Sequence, residues 1–186
     1  MRRGFKAQAE RSAASARDAL GLPANAPIDP WVYANHLNVR VLEFSGLGLP
    51  ARDISQLTVI DGDSWSAMTL QLEGIFAIVL NPVHAITRQR NDLMHELAHV
   101  ELSHTPTRVE VSESGLLLLS DYSDEQEQEA DWLAAALLLP RDGLVHLRAT
   151  RHSAAEIADH YGVSAALCEW RLRMTGVDMQ MRRAYR

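Results

Sequence analysis

The chain is poor in cysteine and has no long apolar run. Among its 186 residues there is one cysteine, Cys168. A lone thiol excludes an internal disulfide framework and a four-cysteine zinc site. No apolar stretch reaches the roughly 18 residues that a membrane span needs. The start, Met1-Arg2-Arg3-Gly4-Phe5-Lys6, is basic but leads into a polar, helix-like segment, which does not suit a secretory signal. These absences predict a soluble, cytoplasmic protein with no membrane partner. What is abundant is aliphatic: 47% of residues are hydrophobic, although only 6% are aromatic. That fraction excludes wholesale disorder, and the length is enough for one compact domain with a real core.

One region also lacks positive charge. Residues 92–131 carry eleven acids and a single base, Arg108, whereas residues 1–20 and 141–186 each have a net charge of +3. The whole chain sums to −6. An acidic block is usually a solvated face, but carboxylates crowded beside histidines also suit a cation. Net acidity argues against nucleic acid as the main partner.

Periodicity predicts a helix over 5–20, stopped by Gly21 and Pro23, and a short one from Pro30 to Leu37 capped by Asp29. Strands are predicted at 38–44, 57–60, 65–72 and 75–80. The period then changes to 3.6 for a helix over 87–103. Residues 105–121 read as irregular, although Leu116 to Leu119 need burial. Ser123 or Asp124 caps a long helix to Leu139, and shorter helices follow at about 141–149, 153–160 and 164–175. The order points to an α+β fold with a small mixed or antiparallel sheet and a helical C-terminal tail. We divide it into an N-terminal helix (1–24), a core (25–140) and a helical segment (141–186) packed on that core.

The chemistry concentrates in His95-Glu96-Leu97-Ala98-His99. Spacing of i, i+4 on a helix sets both imidazoles on one face, where they can ligate one zinc ion. Glu96 then stands where a general base for the attacking water belongs. Chance yields this pattern in roughly 2% of chains of such composition, so a third ligand is needed. The helix after Ser123 offers Glu125, Glu127, Glu129 and Asp131. Glu127 with Asp131 and Glu125 with Glu129 each have the spacing for a ligand backed by a carboxylate that steadies a ligand histidine. The two pairs lie on opposite faces, so only one can meet the metal. The wheel permits Glu127 as ligand with Asp131 behind it without forcing that choice. Glu125 and Glu129 then read as surface charges.

Together, the segment from Arg88 to His104 containing that motif and the segment Glu127-Gln128-Glu129-Ala130-Asp131-Trp132-Leu133-Ala134 continuing to Leu139-Pro140 resemble the ImmA/IrrE family of zinc metallo-endopeptidases. Ile78-Val79-Leu80-Asn81 is similar to the strand that precedes that family's active-site helix, and the likeness extends over residues 25–175. The resemblance implies a gluzincin-like helix pair holding one Zn2+ per chain on His95, His99 and Glu127, with Glu96 as the base. The family commonly has Asn where Asp131 stands; either side chain can accept from a ligand histidine. It further implies an intracellular endopeptidase, here expected as a monomer, that cleaves a helix-turn-helix repressor of a mobile element or stress regulon. The alternative class is a non-catalytic, metal-containing regulator that binds a repressor or DNA through its C-terminal helices.

His104 reads first as a helix C-terminal cap, and Tyr122 as a packing residue; both are candidates for stabilising the transition state. The remaining histidines lack metal spacing, and Cys168 reads as a buried structural thiol. Residues 153–172 have the outline of a helix-turn-helix, with Gly162 at the turn and Arg171 and Arg173 beyond it. The second helix starts Ala165-Ala166-Leu167, which offers little to base edges, so packing or partner docking is expected there rather than DNA binding. A peptide substrate is expected to lie extended along a sheet edge formed from residues 65–80.

Overall fold

The computed structural model describes residues 1–111 and 117–184. It is α+β, with a five-stranded mixed sheet covered by helices. Helix α1 (Phe5–Ala19) presents Phe5, Ala9, Ala13 and Ala16, a 3.6-period stripe, to the core. Helix α2 (Pro30–His36) begins with Asp29 accepting from the backbone N–H groups of Trp31 and Val32. Strand β1 (Arg40–Leu42) follows, shorter than its alternating pattern suggested because the chain turns into a 3-10 segment at Phe44–Leu47.

The strand expected at 57–60 is not one. Helix α3 (Ala51–Ser55) continues as a π-turn through Gln56–Ile60, where Val59 and Ile60 are exposed. With no neighbouring strand to pair with and no face to bury, β-branched composition alone did not make a strand. Strands β2 (Ala67–Leu72) and β3 (Ile75–Leu80) form the expected hairpin, turning at Gly74, whose φ of 83° no L side chain adopts readily. Helix α4 (Ile86–Glu101) then packs on the sheet.

The region expected to be irregular contains two strands, β4 (Arg108–Val111) and β5 (Leu117–Ser120). Leu117, Leu118 and Leu119 are half-buried by pairing β5 with β2 on one side and β4 on the other; Leu116 lies outside the described residues. The strand order is β1-β3-β2-β5-β4, with β1 parallel to β3 and the other pairs antiparallel. This overturns the expected edge. Residues 67–72 and 75–80 are interior strands, and among the described residues the outer strands are β1 and β4.

Helix α5 (Asp124–Leu138) is the hub. Ser123 and Gln126 form a reciprocal capping box at its start. Beyond its acidic first turns it is buried continuously from Trp132 to Leu139. The run of small Ala134, Ala135 and Ala136 allows α1 and α4 to approach it closely. Helices α6 (Arg141–Ala149), α7 (Ala154–Tyr161), α8 (Ala165–Thr175) and α9 (Val177–Ala184) complete the chain. The last was not anticipated; Gly176 at φ 70° ends α8 and lets a new helix start at once. In the helix-turn-helix-like segment, α8 turns Cys168, Arg171 and Leu172 inward. Arg171 is fully buried, donates to the Leu139 carbonyl and pairs with Glu10, so it is a core residue rather than a free cation. Burial pushes the Cys168 thiol up to about 11, as suits an inert one.

Candidate metal centre

The site lies between α4 and α5. Leu93, Met94, Leu97 and Ala98 anchor one face of α4 in the core, which turns His95 and His99 toward α5. Glu127, in the first turns of α5, faces them. The Nε2 atoms of His95 and His99 are 3.1 Å apart. Carboxylate oxygens of Glu127 lie 3.2 Å from His95 Nε2 and 3.8 Å from His99 Nε2. A tetrahedral zinc ion with bonds of about 2.0–2.1 Å requires its donors about 3.3–3.4 Å apart. The three spacings bracket that value, so the donor set fits the ion in both chemistry and size. It is also the sole such group among the described residues, with all three donor atoms within 4.8 Å of one another.

The surroundings set the tautomers. Asp131, one turn beyond Glu127, stands 3.0 Å from His95 Nδ1, which fixes that nitrogen as the N–H and leaves Nε2 free to ligate. Of the wheel's two pairs, Glu127 with Asp131 is the one that the structure brings to the histidines. The expectation for Glu129 does not hold. It is 2% exposed and clasped by Arg2, whose backbone N–H and guanidinium both donate to it at 2.7–3.0 Å. The opposite face of α5 is covered by the segment leading into α1, which a wheel drawn on one helix cannot show.

Glu96 enters the cleft from the same turn as His95. Its Oε2 accepts from the hydroxyl of Thr69 at 2.5 Å; Thr69 is a buried residue of β2. Sequence reasoning missed Thr69, although a threonine at an inward strand position was a signal to follow. The cleft is about 390 Å³ and polar, with Ser66, Asn91 and Asp92 beside His95, Glu96, Glu127 and Asp131.

His104 and Tyr122 lie on the far side of His99. The Tyr122 ring stacks on that imidazole, centroids 3.8 Å apart, and His104 Nδ1 stands 3.1 Å from His99 Nδ1. Instead of the charged side-chain cap expected, the backbone closes α4: His104 N–H bonds the His99 carbonyl while Ser103 N–H bonds that of Val100, with Ser103 left-handed at φ 53°. Burial holds the His104 ring below the usual histidine range against the pull of Glu129, so no imidazolium caps the helix.

The protein's own charges make the two clustered histidines unequal. Burial works to lower His95, but hydrogen bonds to Asp131 and Glu127 outweigh it and raise it to about 10. Burial and the neighbouring His95 cation push His99 down to about 3. At 3.1 Å the two Nε2 atoms form a hydrogen bond only when one of them carries a proton. The hydrogen bond with His95 holds Glu127 below the ordinary carboxylate range. Burial raises Glu96 above the ordinary carboxylate range despite the Thr69 hydrogen bond. Burial also pushes Tyr122 up to about 12, leaving its hydroxyl protonated.

The family model described as the IrrE N-terminal-like domain, Peptidase_M78, matches residues 54–173, about two thirds of the chain. The chain belongs to that family. No curated protein and no solved structure gives a significant match. The matched span of this IrrE-like chain holds both α4 and α5, so all three donors, Glu96 and Asp131 fall inside it. Membership in a peptidase family and a His-His-Glu donor cluster together support a metal-dependent hydrolase. Among the described residues no helix is long and apolar enough to cross a membrane.

Proposed function

We propose that this protein is a zinc-dependent endopeptidase in which His95, His99 and Glu127 hold one Zn2+ per chain and Glu96 is the catalytic base. The observation that carries the proposal is the convergence of His95 Nε2, His99 Nε2 and the Glu127 carboxylate, at 3.1, 3.2 and 3.8 Å, with the half-buried Glu96 carboxylate held beside them by Thr69. Bound zinc supplies Lewis acidity, polarising a peptide carbonyl and bringing the pKa of water to about 7. Glu96 accepts the proton of the attacking water at its carboxylate and returns it to the leaving amine. Thr69 holds that carboxylate by one oxygen, which leaves the other to face the water. Asp131 keeps His95 in the ligating tautomer. Tyr122 packs flat on His99 and keeps the ring from rotating.

The substrate in this reading is a single regulatory protein, a helix-turn-helix repressor, cleaved inside the cell by a monomer. An open polar cleft on a small acidic domain suits one basic or neutral target segment better than bulk proteolysis. An extended segment would add to the outer edge of β4, which leads through β5 to Tyr122. DNA is not the partner, because Arg171 is committed to the core and the chain is acidic. The test is co-expression with a helix-turn-helix repressor, sought first among the neighbouring genes, followed by mass spectrometry. Cleavage by the wild type and an intact repressor with Glu96→Gln support the proposal. Equal de-repression by both proteins contradicts it.

A further inference from the structure

Glu129 has no role in the function proposed above, yet it is a buried carboxylate two residues from a metal donor. It points away from the cleft, on the face of α5 opposite Glu127. His104 stands in the space between Glu129 and the back of His99. His104 Nε2 is 3.8 Å from Glu129 Oε2, and His104 Nδ1 is 3.1 Å from His99 Nδ1. Both His104 and Glu129 side chains are nearly inaccessible, at 6% and 3%. Arg2 closes the series by gripping both oxygens of Glu129.

We propose that Arg2, Glu129 and His104 form a relay that positions His99 for the metal, with His104 as the positioning residue. The inference rests on His99 being a ligand through Nε2. If it is, the proton of His99 is on Nδ1 and must be donated. The acceptor within reach is His104 Nδ1, which must then carry no hydrogen. The hydrogen of His104 is therefore on Nε2, on the side of the Glu129 carboxylate, which at 3.8 Å is in ion-pair range but longer than a hydrogen bond. Arg2 holds that carboxylate in place and compensates its buried charge. Each hydrogen-bonding nitrogen has one proton or one lone pair to offer, so the sequence of tautomers is uniquely determined.

The backbone supports the same assignment. The two hydrogen bonds that end α4, His104 N–H to His99 carbonyl and Ser103 N–H to Val100 carbonyl, require a left-handed residue at position 103. Serine occupies it at φ 53°, where glycine would be less strained. The strained turn folds the chain back so that the His104 ring stands over His99. The two ligand histidines are then supported differently. His95 has a carboxylate in direct contact, from Asp131; His99 has one at a distance, through an imidazole.

The test is zinc affinity of the full-length protein, measured by competition with a chromophoric chelator, together with the melting temperature of the metal-free form. His104→Phe keeps the ring volume but removes the acceptor; it should weaken zinc binding by about tenfold or more. His104→Asn puts an amide oxygen near the position of Nδ1 and should recover most of that loss. Arg2→Ala should weaken zinc about threefold, and because it leaves Glu129 buried without its cation the melting temperature should fall as well. Wild-type affinity in His104→Phe overturns the relay, and so does equal loss in the Phe and Asn variants. Should His104→Phe not fold, Arg2→Ala and Glu129→Gln decide: unchanged affinity in both overturns it. A wild type that binds no zinc would contradict the metal centre itself, a failure distinct from these.

Discussion

Asp131 Oδ1 sits 3.0 Å from His95 Nδ1, one helical turn beyond Glu127 on α5. One helix thus supplies both a donor to the metal and the acceptor that orients another donor. Removal of that acceptor in Asp131→Ala should weaken zinc binding about 10- to 100-fold. Asp131→Asn keeps an oxygen in place and should cost only a few-fold, with chelator competition as the measurement. Equal losses in the two variants would mean that the charge matters and the acceptor does not.

Zinc binding should release about one proton per ion near neutral pH, not two. Metal-free His95, held up to about 10, still carries its proton there, whereas His99, near 3, is already neutral and Glu127 is already ionised. A group whose pKa is raised keeps its proton until the pH passes that value, and ligation requires the neutral form. Zinc affinity should therefore climb about tenfold per pH unit between about pH 7 and 9 and level off above the His95 value. Calorimetry in buffers of different ionisation enthalpy counts the protons; a count of zero or two contradicts the assignment.

Thr69 should matter to turnover and not to metal. Thr69→Val preserves shape but removes the hydroxyl from Glu96, and kcat should fall by about tenfold with zinc content unchanged. Glu96→Gln should retain zinc and lose activity by several orders of magnitude. Parallel loss of zinc in Thr69→Val would show that β2 supports the ligands rather than the base.

Gly143 lies in α6, where alanine ordinarily stabilises a helix. Here a Cβ would collide with the hydroxyl of Tyr161 and press on the Pro140 ring at 3.2 Å. Tyr161 is buried and donates to the Asn25 carbonyl, so it cannot swing aside without losing that bond. Gly143→Ala should destabilise the fold by about 1–3 kcal/mol in chemical denaturation. A neutral or stabilising effect would show that this contact is loose.

The parts of the site written along one helix were legible in the sequence. His95, Glu96 and His99 share a helix, as do Glu127 and Asp131, and i, i+4 spacing states their relation directly. Even Asp29, Ser123 and Pro140 marked helix ends where the structure has them. What escaped notice involves contacts between distant segments. Thr69 reaches Glu96 across 27 residues, and Arg2 reaches Glu129 across 127. Glu129 looked like a surface charge because nothing in its own helix says that the start of the chain will cover it. The run 57–60 looked like a strand because β-branched residues favour strands only where a partner exists. The reverse happened at 117–120, where a leucine run without a clear period became a strand because β2 had a free edge for it.

Zinc content tests the metal centre most directly. Elemental analysis of purified full-length protein should find about one zinc per chain in the wild type and in Glu96→Gln, and little in His99→Ala or Glu127→Ala. Zinc retained by both ligand variants, or missing from the wild type after growth in zinc-supplied medium, would contradict it.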